Sequence, residues 1–490
     1  MINVISIRKI ERNYKLFSVI IMNNETLLGM LQRTAEWIIR YYENIESFPV
    51  KSQVKPREIF DKLKMLDNKS PSSIEEIMSD FEKILLPGIT HWQSPNFFAY
   101  FPANTSPPSI LAEMLTSAIA AQCMVWETSP AAAELEEYTL NLLREYIGLP
   151  ESFSGVIQDT ASTATLVALI VAREKKSSFS INENGFDGKN YRVYCSEEAH
   201  SSIEKAAKIA GFGRKNVVKI ATDENFSMQA ELLEKSIIED IEKGYIPCAV
   251  VSAFGTTGST AIDPINEIAE IALKYDLFHH VDAALAGSSL ILPEMRYIAE
   301  SIERADSIVF NPHKWLLTNF DCSAHFVKDK ETLIRTFSIT PEYLKTSVDE
   351  QVNNYRDWGI QLGRRFRALK LWFVLRYYGL EGLQNFIREH ISFAKYFAES
   401  IIAEGDFELL APVNFNTVCF RYIGYSEKTK IDEVNEKLLK TLNDSGKIYI
   451  THTKLNGKYT IRFVVGQTNT KKRHVDAALE LIKQTARNLV

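Results

Sequence analysis

Hydrophobic positions recur with two different periods along this chain, and the change of period divides it. Between Glu25 and about Asn44, apolar Leu28, Leu31, Ala35, Ile38 and Ile39 fall on one helical face. A polar stretch, 68–73, leads into a second helical run, Ser73–Leu85, which opens on Ser-x-x-Glu and meets Pro87-Gly88 at its end. These helices carry an apolar stripe without a core of their own, which predicts docking onto a partner subunit. His91–Pro108 is then dense in rings and proline, with Trp92, Phe97, Phe98, Tyr100, Phe101 and Pro102. Most of these rings are expected to pack inside a connector, and some to line an apolar pocket.

From about Ser109 to Val327, short β-rich runs alternate with helical segments, the signature of a mainly parallel sheet with crossover helices. The predicted strands include Arg192–Cys195, Cys248–Phe254, Phe278–Val281 and Ser307–Phe310. Asp263 is the expected N-cap of a helix with Pro264 at its first position and Ile265, Ile268, Ala269 and Ala272 on one face. Leu369–Arg376 begins a connector helix. The remainder to Val490 reads as a smaller α+β unit with strands near Thr417–Tyr422 and Tyr459–Val465. No internal repeat or low-complexity tract interrupts the pattern.

Bulk properties remove several functions. The 490 residues exceed one compact core, and the net charge of −6 gives no basic footprint for nucleic acid or an anionic membrane. No apolar run approaches the ~20 residues of a membrane span. Cys123, Cys195, Cys248, Cys322 and Cys419 are odd in number and form no C-x-x-C pair, which favours a reducing cytoplasm over a disulfide framework. Arg8, Lys9, Arg12 and Lys15 precede the apolar stretch Leu16–Met22, a faint echo of a signal peptide that is too short and lacks a cleavage site. Residues 1–22 are expected to be a loose leader.

Ligands of open α/β sheets sit beyond the carboxyl ends of strands, and three chemical groups lie at such ends. Asp282 follows Val281, Lys314 follows the run 308–310, and Thr256-Thr257 follows 250–254. A lysine attacks an aldehyde only as the free amine, so its ordinary pKa near ~10.4 must be lowered by burial or nearby positive charge. A carboxylate held against a pyridinium nitrogen keeps that ring an electron sink. Gln158-Asp159-Thr160-Ala161-Ser162-Thr163, ahead of the helical run Leu166–Arg173, offers hydroxyls and free backbone N–H groups to an anion. Taken alone, a serine- and threonine-rich helix start is a common cap, and a lone lysine is more often a surface residue. No G-x-x-x-x-G-K-[ST] nucleotide loop is present. Adjacent His279 and His280 point to opposite strand faces and no H-x-x-x-H occurs, so no metal is expected.

Four motifs carry a family resemblance: Asn-Pro-His-Lys-Trp at 311–315, His-Val-Asp-Ala-Ala at 280–284, Ala-His-Ser-Ser at 199–202 and Leu-Gly-Arg-Arg-Phe-Arg at 362–367. In order and spacing, from about Asn24 to at least Phe386, they resemble the group II pyridoxal-phosphate decarboxylases, nearest to those acting on aromatic L-amino acids. The resemblance implies an aspartate-aminotransferase-like, fold type I α/β architecture. A helical dimerisation segment would occupy 23–106. A large pyridoxal 5'-phosphate domain at 107–371 would hold a mainly parallel seven-stranded sheet, and a small C-terminal α+β domain would occupy 372–490. It implies a homodimer with shared active sites.

The same resemblance assigns roles. Lys314 would bind the cofactor aldehyde, Asp282 would pair with its ring nitrogen and His200 would stack over the ring. Thr257 would touch its polar edge, while Ala161, Ser162, Asn311 and His313 would hold the phosphate. Tyr343, in Thr340-Pro341-Glu342-Tyr343, would protonate the substrate α-carbon after CO2 leaves; phenylalanine at this loop position accompanies relatives that release aldehydes. The substrate pocket would draw on Trp92, Tyr100, Phe101, Pro102 and Gly363. Ala103 stands where animal relatives often carry threonine, and the loop from Tyr343 to Tyr355 is a residue or two shorter, which leaves substrate geometry open. The expected reaction is decarboxylation of tryptophan, tyrosine, phenylalanine or a hydroxylated derivative. Alternatives are an aromatic aldehyde synthase on the same fold, an acidic-substrate decarboxylase and a non-catalytic scaffold.

Overall fold

The computed structural model describes residues 24–67, 69–186, 188–339 and 351–489. Contacts divide the chain into two compact units, Met1–His91 and Trp92–Val490. In the first, helix α1 (Asn24–Glu43) leaves Leu28, Leu31 and Ile39 exposed, so among the described residues of this unit the apolar stripe lacks a cover. Helix α2 (Ile74–Asp80) begins as its sequence requires. Glu76 N donates to Ser73 Oγ at 3.2 Å while Ser73 N donates to Glu76 Oε2 at 2.8 Å, a reciprocal capping box. The edge of Phe81 packs on Trp37 of α1 with centroids 5.1 Å apart.

The second unit is organised by a seven-stranded sheet in the order β1-β7-β6-β5-β4-β2-β3. Its strands are β1 (Ser154–Gln158), β2 (Tyr191–Ser196), β3 (Val217–Ile220), β4 (Ile246–Ala253), β5 (Phe278–Asp282), β6 (Ser307–Phe310) and β7 (Ser323–Val327). Every strand pair is parallel except the two made by β7, which runs against both β1 and β6. Central strands covered on both faces should read as continuous apolar runs, and β4 and β6 do so with hardly a residue exposed. Helix α3 (Pro107–Ile119) and helix α4 (Pro130–Ile147) precede the sheet, and helix α5 (Ala161–Lys176) leaves the end of β1. Within the sheet, buried His280 of β5 bonds Ser307 of β6 at 2.7 Å and lies 3.4 Å from Thr165 of α5.

One expectation is corrected. Asp263 does not cap the helix Ile265–Lys274 (α6), whose cap position is Pro264 without a side-chain bond. The Asp263 carboxylate instead accepts Met228 N at 2.8 Å and Ala253 N, at the end of β4, at 2.7 Å, because two buried N–H donors hold it better than one solvated helix turn. Burial pushes its carboxyl up to about 6.

The connector predicted from Leu369 is part of a 37-residue helix, α7 (Arg367–Ala403), broken only at Gly379 with φ +64°. Its first part sends Leu371 and Val374 into the core beneath the large sheet, and its second sends Ala394, Phe397 and Ile401 into another core. That second core underlies an antiparallel sheet of β8 (Phe407–Leu409), β9 (Thr417–Tyr422), β10 (Thr451–Leu455) and β11 (Lys458–Val464). A buried ion pair locks the segment before α7 to the sheet. Arg364 grips Glu136 of α4 through both carboxylate oxygens at 2.7 and 3.2 Å and donates to Ile157 O, while Ile157 N donates to Glu136. All five cysteines are buried and free. Among the described residues no helix is long and apolar enough to cross a membrane.

Candidate active site

Parallel strands end together, so the segments following β1, β2, β4, β5 and β6 converge on one edge. They enclose a cavity of about 180 Å³. Its wall includes Lys314, Asp282, His200, Thr257, Ala161, Ser162, Asn311 and His313, so the structure brings together every predicted cofactor residue. Phe101 joins them from the aromatic connector. Trp92, Tyr100, Pro102 and Gly363, also expected at the pocket, are not part of this wall; Trp92 and Tyr100 are exposed and stacked on each other, 5.7 Å between centroids. Tyr343 lies outside the described residues.

Each group is held by its own element. Lys314 sits in the single helical turn Pro312–Trp315 after β6. The turn is pinned by Trp315, fully buried, whose indole N–H donates to His390 Nδ1 at 3.0 Å. Burial lowers the Lys314 amine to about 8, against the opposing pull of Asp282. The fraction of free amine is therefore raised where an aldehyde must be attacked. In the cofactor-free protein, capture of an aromatic aldehyde should accelerate as pH rises through about 8, because the protonated form below that value is unreactive. Imine absorbance followed across pH checks this; a midpoint near 10.5, the ordinary lysine value, would contradict it.

Asp282 closes β5, where one carboxylate oxygen accepts Ala284 N at 3.1 Å. His200 Nδ1 is turned inward on Ser202, accepting Ser202 N at 3.2 Å and lying 2.8 Å from its hydroxyl. Burial lowers its pKa, Asp282 opposes the shift and Lys314 adds to it, so the ring is neutral at pH 7. His313 Nδ1 accepts Cys322 N at 2.9 Å, which fixes the proton of the neutral ring on Nε2. Burial, helped by Lys314, drives His313 down to about 3. Asn311 Oδ1 accepts the hydroxyl of Ser323 and so turns its NH2 the other way.

At the head of α5, Thr160 caps the helix by accepting Thr163 N at 3.4 Å. The N–H groups of Ala161 and Ser162, in the first helical turn, have no intrahelical acceptor and meet the cavity as an anion cradle. An amine with depressed pKa, a carboxylate beside it and a helix-end cradle opposite form the donor set that a phosphorylated pyridine aldehyde needs. The residues fit that group.

Several contributors escaped the sequence reading. Ser202 and Phe320 line the wall. Arg462 of β11 is 3% exposed, with its guanidinium carbon 5.5 Å from the Phe101 centroid and Nη2 unpartnered; only its charge between apolar Ile461 and Phe463 could have flagged it. Lys370 of α7 is 1% exposed, its ammonium 3.0 Å from Glu113 Oε2.

Similarity to known proteins runs through most of the chain. The pyridoxal-dependent decarboxylase conserved domain matches residues 56–423. Tyrosine decarboxylase 3 of Petroselinum crispum is 43% identical over 468 residues, covering 92% of this chain and 90% of that protein. Phenylacetaldehyde synthase of Arabidopsis thaliana is 41% identical over 480 residues, covering 96% and 97%. Among solved structures, Catharanthus roseus tryptophan decarboxylase in complex with L-tryptophan superposes with a TM-score of 0.91 at 37% identity, covering 96% of this chain and 99% of that one.

Proposed function

The chain belongs to the pyridoxal-dependent decarboxylases, and from that membership we propose that it converts an aromatic L-amino acid to the arylalkylamine and CO2. The observation that carries this reading is Lys314 and Asp282 on the wall of one cavity, close enough for the carboxylate to act on the amine. When bound, pyridoxal 5'-phosphate supplies the electron sink that receives the pair released as the Cα–carboxylate bond breaks.

The chain's own residues do the rest. Lys314 would hold the cofactor aldehyde and Asp282 would keep the ring nitrogen protonated. Ala161, Ser162, Asn311 and His313 would hold the phosphate, Thr257 would meet the polar edge and His200 would cover the ring face. Phe101 and Phe320 give the wall aromatic surface that suits an aromatic side chain and excludes water. An acidic side chain would need a cation of its own on that wall. Arg462, beside Phe101, adds positive potential for the substrate carboxylate. Amine and CO2 assays on phenylalanine, tyrosine, DOPA, tryptophan, 5-hydroxytryptophan and glutamate test the proposal; turnover of glutamate alone would refute it.

Tyr343 favours the decarboxylase over the aldehyde synthase, because a phenol can hand a proton to the substrate α-carbon and phenylalanine cannot. Tyr343→Phe is expected to lower amine yield by roughly 100-fold. Aldehyde, ammonia and peroxide should appear as oxygen and water are consumed. Peroxide and amine measured together check it, and an unchanged product ratio would remove Tyr343 from the reaction.

The working form is a homodimer in the cytoplasm. The uncovered stripe of Leu28, Leu31 and Ile39 and the exposed Leu111, Leu115 and Ile119 of α3 support assembly, and five free buried thiols suit a reducing compartment. An active monomer in gel filtration would exclude the shared site.

A further inference from the structure

After β2 the chain passes His200 and enters the helix Ser202–Ile209, whose first backbone N–H has no intrahelical acceptor. The His200 ring takes it. Ser202 N donates to Nδ1 at 3.2 Å, and the Ser202 hydroxyl lies 2.8 Å from the same nitrogen. One ring nitrogen thus meets two polar groups of a single residue. Ser202 is buried, and it stands on the cavity wall beside His200.

This geometry leaves one arrangement of protons. A backbone N–H only donates, so Nδ1 must offer it a lone pair and cannot carry a proton of its own. The neutral ring then holds its proton on Nε2, and the hydroxyl, free to rotate, turns its proton to the same lone pair. A charged ring is opposed on both counts, because a proton on Nδ1 would confront the Ser202 N–H and lose the hydroxyl's donation. Burial also works against that charge; Asp282, closing β5, favours it, and Lys314, in the turn after β6, disfavours it. Glu204 of the same helix is paired with Arg214. Thr256, Thr257 and Ser162 on the wall carry no charge.

We infer that Ser202 is a positioning residue for the reaction, holding His200 as the tautomer protonated on Nε2, so that the ring offers a hydrogen-bond donor and not a base. This rests on the decarboxylase reading above, in which His200 covers the cofactor ring. The nitrogen left for any other partner is Nε2. Held in this way, it can donate a hydrogen bond to a substrate oxygen. It has no lone pair with which to take a proton, and a neutral imidazole grips its N–H proton too tightly to give it up. The proton that reaches the α-carbon must therefore come from another group, the part that the reading gives to Tyr343.

Ser202→Ala removes the hydroxyl and keeps the backbone N–H. In the holoenzyme, the acid limb of kcat/KM for amine release should move up by about half a pH unit to one unit, because the charged ring forms more easily without that donor. Ser202→Thr, which keeps a hydroxyl, should return the limb to its place. A lower kcat or melting temperature with the limb unmoved would mean that Ser202 only supports the helix start, and overturns the inference. A second readout needs no turnover. In nitrogen NMR with isotope-labelled histidine, the His200 signals, assigned by their loss in His200→Gln, should show Nδ1 bare and Nε2 protonated at neutral pH, with and without cofactor. A proton found on Nδ1 overturns the inference, and this measurement decides alone should the Ala variant fail to fold. If the unaltered chain releases amine from no aromatic amino acid, the decarboxylase reading falls, while the ring signals still decide what Ser202 does to His200.

Discussion

Lys314→Ala should abolish turnover, by roughly 1,000-fold or more, and should remove the visible absorbance of lysine-bound cofactor. Among the described residues no other amine lines the cavity, so none of them can substitute. The fold should survive, because truncation removes a buried cation rather than a core hydrophobe, and Trp315 with its His390 bond keeps the turn in place. The phosphate cradle is untouched, so the variant should still bind the cofactor without a covalent link. Absorbance spectra, single-turnover CO2 release and dialysis against cofactor separate these effects. An active, normally coloured variant would end the assignment of Lys314.

The second large effect concerns stability. Arg364→Met leaves Glu136 buried with only the Ile157 N–H as partner, and losing one side of such a pair destabilises by roughly 3–5 kcal/mol. Glu136→Leu should be similarly damaging, since it strands the guanidinium at 8% exposure. Combined, the two substitutions should recover much of the loss, because two apolar side chains then replace both charges. Melting temperatures of the four proteins at saturating cofactor measure the coupling. Simple additivity would show that the ion pair does not hold the segment before α7 against β1.

How much of this was legible beforehand depended on how far apart the interacting residues lie. Strands β4 and β6 announce themselves as short, largely apolar runs, and the predicted Ser307–Phe310 is the observed β6. Ser73 and Glu76, three residues apart, likewise reveal their cap. Asp263 misled because its true donors, Met228 and Ala253, lie 35 and 10 residues upstream, so local spacing favoured a helix cap that tertiary contacts override. Arg364 was visible as part of a motif, but its partner sits 228 residues upstream. Lys370 reads as the solvated side of Ala-Leu-Lys-Leu-Trp, and only packing of α3 and the 321–322 segment buries it.

The chemical site was more legible than the pocket. Lys314, Asp282, His313 and Asn311 follow strands directly, so strand prediction carries them to the correct edge. Trp92 and Tyr100 lie on a connector with no period, and composition says that rings are present without saying which way they face.

The reversed direction of β7 has a consequence for how the protein assembles itself. Because β6 and β7 run antiparallel, residues 311–322 return directly to the same sheet edge instead of crossing over through a helix. That loop carries Asn311, His313 and Lys314, and its far end supplies the Cys322 and Ser323 groups that orient two of them. Closing so short a loop forfeits far less chain entropy than the crossovers that deliver Asp282 and Thr257. The lysine segment can therefore organise itself as a local hairpin, early and with little help, leaving the slower long-range pairings to bring the remaining walls to it.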